Sequence, residues 1–197
     1  MRTAREAIQE VVKTGLAPML KRHGFKKNAF SFGRRIGSVG HYFDVQLSQW
    51  NRGSEGGFYL NAGVMFDDIC ALRGGEPPAI PRYPDCQFMV RLERLNPDLP
   101  GLFKVDEETD LTALAAQISE AVEQTFVAPL NEVSSAHAFE ATGWLSATPW
   151  SFPAVYRYVT GNLPEARRLV QLEADAFADR GCTFQSVAAG LHLKFPS

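Results

Sequence analysis

The stretch HYFDVQLSQWNRGSEGGFYLNAGVMF, residues 41–66, decides the fold because apolar and polar side chains alternate along most of its length. This period-two alternation over residues 41–50 and 58–66 predicts two β-strands. The polar segment NRGSEGG between them predicts the turn of an antiparallel hairpin. A phosphate-binding loop needs a helix after its glycines, whereas a strand follows here. The glycines of this segment are therefore expected to turn the chain.

Further strands are predicted on both sides of the hairpin. Residues 29–35 alternate in the same way, residues 87–94 offer a fourth strand, and residues 102–105 offer a short fifth one. We expect an antiparallel sheet of four or five strands that begins as a meander. Its core face should collect the apolar residues of the first three strands, which are Phe30, Phe32, Phe43, Val45, Leu47, Leu60, Ala62 and Val64.

Helices are predicted before and after the sheet, which makes this an α+β protein. Apolar residues recur at three- and four-residue steps over residues 2–23 and 110–128, and both helices should cover the core face. Pro18 is expected to kink the first helix or to end it early. Extra C-terminal helices are expected over residues 134–142, 152–160 and 162–181.

The composition is that of an ordinary globular protein of 197 residues, with 45% hydrophobic and 21% charged residues. We expect one domain over residues 1–197, because this length is typical of a single domain. No apolar run approaches the ~20 residues that a membrane span needs. The start of the chain does not have the pattern of a secretory signal. Cys70, Cys86 and Cys182 form no C-x-x-C pair, so free thiols in a reducing cytoplasm are expected.

Charge is distributed unevenly along the chain, although the formal net charge is −2. Residues 1–35 carry nine Lys and Arg against two Glu, and residues 67–147 carry fourteen acidic against five basic residues. The segment KRHGFKKNAFSFGRR, residues 21–35, interleaves basic and aromatic residues as some nucleic-acid-binding surfaces do. We nevertheless do not expect nucleic acid as a partner. The aromatics Phe30 and Phe32 belong to the predicted core face, and the acidic region would repel a polyanion.

The second face of the predicted hairpin is the candidate site. Along its two strands, the residues that alternate with the core positions combine aromatic rings with amide and carboxylate groups, a mixture that ligand-binding surfaces use. Gly63 is expected to leave space over the backbone there. The candidate ligand-binding residues are Tyr42, Gln46, Trp50, Tyr59 and Asn61. The alternative is a half-exposed polar face without a binding role, partly covered by the C-terminal helices.

The sequence contains no motif of a known catalytic or cofactor chemistry. The four histidines are scattered and form no H-E-x-x-H pattern, so no metal site is predicted. The G-x-S-x-G elbow and the nucleotide-binding glycine motifs are also missing. Asp67 and Asp68 are adjacent, which suits a turn or a helix cap better than a catalytic carboxylate pair. We therefore predict no cofactor and no metal.

Three short motifs resemble one known family. A first helix ending in LKRHGFKKNAFSFGRR, the strand YFDVQLSQW and the strand FYLNAGVMF follow one another in this order. They resemble the uncharacterised bacterial family catalogued as domain of unknown function 4304, over about residues 5–130. Residues from about 144 to 197 would then be a C-terminal helical extension. The matching positions are Gly24, Phe25, Phe30, Arg34, Gln46, Phe58, Asn61 and Gly63. The family has no established activity, so the resemblance implies a fold and leaves the function open.

Two functions are consistent with these observations. The first is a non-enzymatic cytoplasmic binding protein of the adaptor or immunity type, with another protein as its partner. The second is an enzyme with a small-ligand site around Gln46, Tyr59 and Asn61. A deep pocket over these residues would favour the enzyme, whereas a flat, charged surface would favour the binding protein. No membrane partner is expected, and the sequence leaves the oligomeric state open.

Overall fold

The computed structural model describes residues 2–149 and 151–196, and its centre is a sheet in which every strand pairing is antiparallel. The strands are β1 (Lys26–Asn28), β2 (Ser31–Ile36), β3 (Val39–Leu47), β4 (Gly56–Phe66), β5 (Phe88–Arg91) and β6 (Phe103–Val105). Their order is β1-β2-β3-β4-β5, and β6 pairs with the first residues of β4. The predicted α+β class with an N-terminal antiparallel sheet and C-terminal helices is confirmed, with β1 as an additional strand.

The hairpin predicted from residues 41–66 is confirmed, because β3 and β4 pair over nine residue pairs. In its turn Gly53 has a φ of 54°, the left-handed conformation that favours glycine. Gly56 and Gly57 already belong to β4, so the expectation that they turn the chain is wrong. A Cβ atom at Gly57 would lie 2.6 Å from the carbonyl oxygen of Phe103, which means that this glycine allows β6 to approach.

Three predicted strands have other bounds in the structure. β3 ends at Leu47, so Trp50 lies in the following turn, where its N–H donates to Ser48 Oγ at 3.2 Å. The strand predicted over residues 87–94 is limited to Phe88–Arg91, and a turn follows it. Residues 29–35 are not one strand, because Ala29 adopts a φ of 52° in the tight turn between β1 and β2. Phe30 therefore lies in that turn and not in a strand, but it is half-buried and packs against the core as predicted.

Helices precede, interrupt and follow the sheet. α1 comprises Ala4–Val11, Val12–Leu16 and Ala17–Arg22; α2 is Asp67–Leu72; α3 comprises Leu111–Val122, Glu123–Val127 and Ala128–Leu130; α4 is Ala136–Phe139; α5 is Ser151–Val159; α6 is Leu163–Ala176; and α7 is Phe184–Gly190. α6 begins where the Asn162 side chain accepts a hydrogen bond from the Glu165 N–H at 3.2 Å, as its capping pattern predicts. Asp67 and Asp68 form the first turn of α2. Neither α2 nor α7 is predicted from the sequence.

The two long helices, α1 and α3, each accommodate a proline in the same way. Their middle segments, Val12–Leu16 and Glu123–Val127, are π-helical turns, and Pro18 and Pro129 each lie two residues after such a turn. In a regular α-helix the proline ring clashes with a carbonyl group of the preceding turn, and a wider turn relieves that clash. α1 therefore continues to Arg22 and does not end early at its proline.

The core lies between the sheet and these helices. The ring of Phe126 in α3 lies 5.5 Å from that of Phe43 in β3. The C-terminal helices extend the same layer, since Phe66 in β4 contacts Phe139 at 5.1 Å and Phe152 at 5.8 Å between ring centroids. They lie on the core side, so the expectation that they cover the polar face is wrong. At most 2% of the surface is exposed for six of the predicted core residues, which are Phe32, Phe43, Val45, Leu60, Ala62 and Val64.

Arg34 ties both long helices to the sheet from a buried position in β2. Its Nε donates to His41 Nδ1 in β3 at 3.0 Å. Its Nη1 donates to the carbonyl oxygen of His23 at 2.9 Å and to Asn131 Oδ1 at 3.0 Å, immediately after α1 and α3 respectively. The guanidinium also lies 4.6 Å from the centroid of the Phe25 ring. Within residues 2–149 and 151–196, no carboxylate forms an ion pair with it.

Burial sets the charge states in this cluster. Burial lowers the pKa of Arg34 to about 10. Burial also lowers the pKa of His41 to about 3, and the positive charge of Arg34 contributes to this second shift. His41 is therefore neutral at neutral pH. Because its pKa is lower in the folded than in the unfolded protein, its contribution to stability is complete above pH 6.5 and is lost as the pH falls towards 3.

We expect Arg34→Ala to lower the free energy of unfolding by about 3–5 kcal/mol, because three acceptors, among them the buried Nδ1 of His41, lose their donor and the packing against Phe25 is lost. Lys27→Ala is the matched control, since this neighbouring cation is exposed, and it should change stability by less than about 0.5 kcal/mol. Chemical denaturation of both variants measures the two effects. Arg34→Lys should be intermediate, because an ammonium lacks the guanidinium fork. Equal stability of the two alanine variants would contradict the role given to Arg34.

Candidate functional site

The face of the sheet that points away from α1 and α3, here called the outer face, is half covered by a proline-rich loop, residues 74–86. A Cβ atom at Gly33 would lie 2.7 Å from Ile80 Cγ2, so the loop can rest directly on the backbone at this glycine. A Cβ at Gly63 would clash with Met89 Sδ and lie 3.0 Å from Cys86 Sγ. The expectation that Gly63 leaves open space is therefore wrong, because these two sulfur atoms fill it.

A row of polar residues crosses the outer face where the loop ends. The register places Asn28 opposite Ser31, Ser31 opposite Asp44, Asp44 opposite Asn61, and Asn61 opposite Arg91. Directly opposed residues project from the same face of a sheet. These five residues, here called the polar row, therefore run side by side from β1 to β5.

Hydrogen bonds and stacking order the side chains of the polar row. Asn61 Nδ2 donates to Gln46 Oε1 at 3.1 Å and to Asp44 Oδ2 at 3.4 Å, and Asn61 is only 9% exposed. The guanidinium of Arg91 lies 3.7 Å from the centroid of the Tyr59 ring, a cation–π contact. The exposed amide of Gln46 and the stacked pair of Tyr59 and Arg91 are thus held in place beside the row.

Asp44 has an unusual environment for a carboxyl group. One oxygen accepts the bond from Asn61, whereas Oδ1 is buried without a hydrogen-bond partner in the described residues. Burial raises the pKa of Asp44 to about 6, and the hydrogen bond from Asn61 opposes this shift. Such a group is able to exchange a proton near neutral pH.

The proline-rich loop and the first strands enclose a pocket of about 540 Å³ at the β1 end of the polar row. We call it the loop pocket; residues that line it include Lys26, Lys27, Ser31, Tyr42, Arg82 and Tyr83. The hydroxyl groups of Ser31 and Tyr42 lie 3.1 Å apart on its sheet side. Burial raises the pKa of the Tyr42 phenol, and the hydrogen bond with Ser31 lowers it. The loop pocket thus combines hydroxyl groups, rings and the cationic side chains of Lys26 and Arg82.

Four of the five residues predicted as ligand-binding lie together on the outer face. Tyr42 lines the loop pocket, Gln46 and Asn61 contact each other, and Tyr59 lies opposite Gln46. Trp50 is separate from them, because β3 ends before it. It is 71% exposed and lines a second pocket of about 460 Å³ with Tyr59.

The sequence analysis does not place Ser31, Arg91 or the proline-rich loop at the candidate site. Ser31 falls within the strand predicted over residues 29–35. The signal for Arg91 was present, because it alternates with the core residues Phe88 and Val90 of β5 and therefore faces outwards. The prolines of the loop gave no periodic signal, so nothing in the sequence indicated where the loop would lie.

The basic segment over residues 21–35 does not form one charged surface. Lys26 and Lys27 are exposed in β1, whereas Arg34 is buried in the core. Arg35 forms an ion pair with Asp67 and donates to the carbonyl oxygen of Pro78 at 2.9 Å. Only part of the positive charge counted in the sequence is thus available to a partner.

Two other kinds of site are not found among the described residues. In the part of the chain that the structure describes, no group of three or more His, Cys, Asp or Glu side chains could hold a metal ion. Among the same residues, no helix is both long and apolar enough to cross a membrane.

Comparison with known proteins assigns the chain to a family. Its residues 16–150 match the family model described as "Domain of unknown function (DUF4304)", and the chain belongs to this family. The match covers all six strands of the sheet and α3, and therefore includes the polar row and the loop pocket. It ends where α5 begins, later than the resemblance over residues 5–130 suggests. No curated protein and no solved structure matches the chain.

We expect Asp44→Asn to stabilise the protein by about 1–2 kcal/mol at pH 8, because the folded protein holds the ionised carboxylate of Asp44 in a partly buried place at that pH. The range is smaller than the pKa shift alone would give, because the carboxyl group is partly exposed to solvent. The pKa of Asp44 is raised in the folded protein, so its contribution to stability is complete below its ordinary pKa of 3.8 and is lost as the pH rises through about 6. The advantage of the variant should therefore disappear near pH 4.

Urea denaturation of both proteins at pH 4 and pH 8 measures this difference. The titration of His41 is common to both proteins and cancels when they are compared. An advantage of the same size at both pH values would show that Asp44 is not the group responsible.

Proposed function

We propose that this protein is a non-enzymatic binding protein, of the adaptor or immunity type, that holds a segment of a partner protein on its outer face. The observation that carries the proposal is the polar row, which continues in register across five strands and in which Asn61 donates hydrogen bonds to Asp44 and to the adjacent Gln46. Groups that are already ordered lose little conformational freedom when a partner binds, which favours affinity.

The position of the pocket supports binding over catalysis. The loop pocket lies over Tyr42, whereas Gln46, Tyr59 and Asn61 lie outside its lining, on the open part of the outer face. An open surface with anchored polar groups suits an extended partner segment, which can exchange hydrogen bonds with several of them.

The proposal places the protein in the cytoplasm. Cys70, Cys86 and Cys182 are all free thiols in the structure, which suits a reducing compartment. Neither nucleic acid nor a cofactor is part of the proposed function.

A second candidate, an enzyme that uses this face, is favoured by Asp44. Its pKa of about 6 suits a general acid or base, and the hydroxyl groups of Ser31 and Tyr42 lie in the neighbouring loop pocket. Asp44 Oδ1, however, is buried and turned away from solvent, where it could not reach a substrate without a rearrangement. We therefore rank this candidate second.

Selection of binding peptides tests the proposed function. A phage library of random linear peptides is selected on the immobilised full-length protein, and the affinities of synthetic copies are measured by fluorescence anisotropy. We expect Gln46→Ala and Arg91→Ala each to weaken binding by more than about tenfold, the effect of losing about 1.4 kcal/mol.

Two matched controls lie on other surfaces. Gln117 is an exposed glutamine of α3, and Arg180 is an exposed arginine that contacts the ring of Phe177 as Arg91 contacts Tyr59. Gln117→Ala and Arg180→Ala should leave binding unchanged. Selected peptides that depend on the control residues, and not on Gln46 or Arg91, would refute the proposed site.

A further inference from the structure

We infer that the partner segment is an acidic, extended stretch of polypeptide that lies along the polar row and places an apolar side chain in the loop pocket. This inference rests on the proposed function and adds to it the chemistry of the partner. It is carried by the unpaired cations at both ends of the row, by the length of the row, and by the large apolar side chains exposed beside it.

Unpaired positive charge lies at both ends of the polar row. At the β1 end, Lys26 and Arg82 line the loop pocket, and among the described residues no Asp or Glu belongs to its lining. At the β5 end, Arg91 stacks on Tyr59. Within the described residues none of these three cations takes part in an ion pair. Carboxylates of a bound segment would pair with them.

Asp44 is the one carboxylate of the polar row, and it lies at the centre of the row. Its Oδ2 accepts the hydrogen bond from Asn61, and its Oδ1 is buried. The positive charge is therefore confined to the two ends of the row, where the carboxylates of a bound segment would lie.

The length of the row suits an extended chain better than a small molecule. Adjacent strands lie about 4.8 Å apart, so five strands span about 19 Å, the length of about six residues of extended polypeptide. A small anion would occupy the loop pocket alone and would leave Arg91 without a partner.

Exposed apolar side chains border the same surface. Large apolar side chains are usually buried, but Ile80 is 36% exposed and Tyr83 is 61% exposed in the proline-rich loop. Trp50 lies beyond Tyr59 with 71% of its surface exposed. The pocket of Trp50 has both basic and acidic lining residues, among them Glu55 and Asp106, so it adds apolar surface but no net attraction for an acidic segment. Ile80 and Tyr83, which line the loop pocket with Lys26 and Arg82, are complementary to a segment that mixes acidic and apolar residues.

Two synthetic peptides test this inference on the full-length protein. Both are fluorescein-labelled, have about eight residues so that they exceed the length of the row, and alternate tyrosine with either glutamate or glutamine. We expect the glutamate peptide to bind at least about tenfold more tightly than the glutamine peptide at low salt. We also expect this advantage to shrink at about 0.15 M salt, where charges are screened beyond about 8 Å.

Charge-neutralising variants locate the contacts. Lys26→Gln combined with Arg82→Gln, and separately Arg91→Gln, should each remove most of the preference for glutamate. Lys13→Gln and Arg180→Gln are matched controls, because both residues are exposed cations away from the outer face, and they should preserve it.

The possible failures are distinguishable. If both peptides bind equally well and Arg91→Gln weakens neither, the partner is not acidic, although the phage-selected peptides can still support the outer face as a binding surface. If benzoate or inorganic phosphate binds as tightly as the glutamate peptide, the ligand is a small anion and not an extended segment. If single-stranded DNA binds more tightly than the glutamate peptide, the ligand is a nucleic acid. Either result would overturn the inference.

Discussion

The buried guanidinium of Arg34 is the interaction on which the arrangement of helices and sheet depends. Its acceptors come from three places: the carbonyl group of His23 after α1, the amide of Asn131 after α3, and the imidazole of His41 in β3. A buried charge that loses its partners costs about 3–5 kcal/mol, so these three elements are coupled energetically. Both long helices are thereby fixed on the core side. In the described residues the outer face is left to the proline-rich loop, and the part that the loop does not reach is accessible to a partner.

The size of the side chains along the strands decides how far the loop covers that face. At Gly33 and Gly63 no side chain separates the loop from the backbone, and Ile80, Cys86 and Met89 lie in close contact there. The polar row lies two residues before these glycines, at Ser31 and Asn61, where side chains prevent an equally close approach. The edge of the loop and the position of the row are therefore consequences of one pattern, in which polar residues precede the glycines at the same register.

The sequence predicts the hairpin and its two faces well, because a period of two leaves little choice about which residues face the core once the strands pair. It fails at Trp50, because alternation continues beyond the residue at which β3 ends and only the turn geometry shows the boundary. It fails also at Arg34, because the basic character of residues 21–35 does not distinguish Arg34 from the adjacent Arg35. Adjacent strand residues face opposite sides, so one arginine enters the core while the other pairs with Asp67 on the outer face. The place of the proline-rich loop depends on contacts distant in sequence, which no local pattern records.

The two faces differ in what they expose. On the core side, the buried charge of Arg34 has three acceptors and a ring to pack against, although Arg34 Nη2 and His41 Nε2 have no hydrogen-bond partner in the described residues. On the outer face, within the same residues, Arg91 forms no ion pair, and Tyr83 and Trp50 expose most of their surface. Stability alone does not require these exposed rings or the unpaired charge, since a neutral or smaller residue would fit at the same place. Exposed rings and unpaired charges that gather on one surface are typical of functional sites, where the partner supplies the missing contacts. The accessible groups of the outer face thus make it the better half of the sheet for recognition.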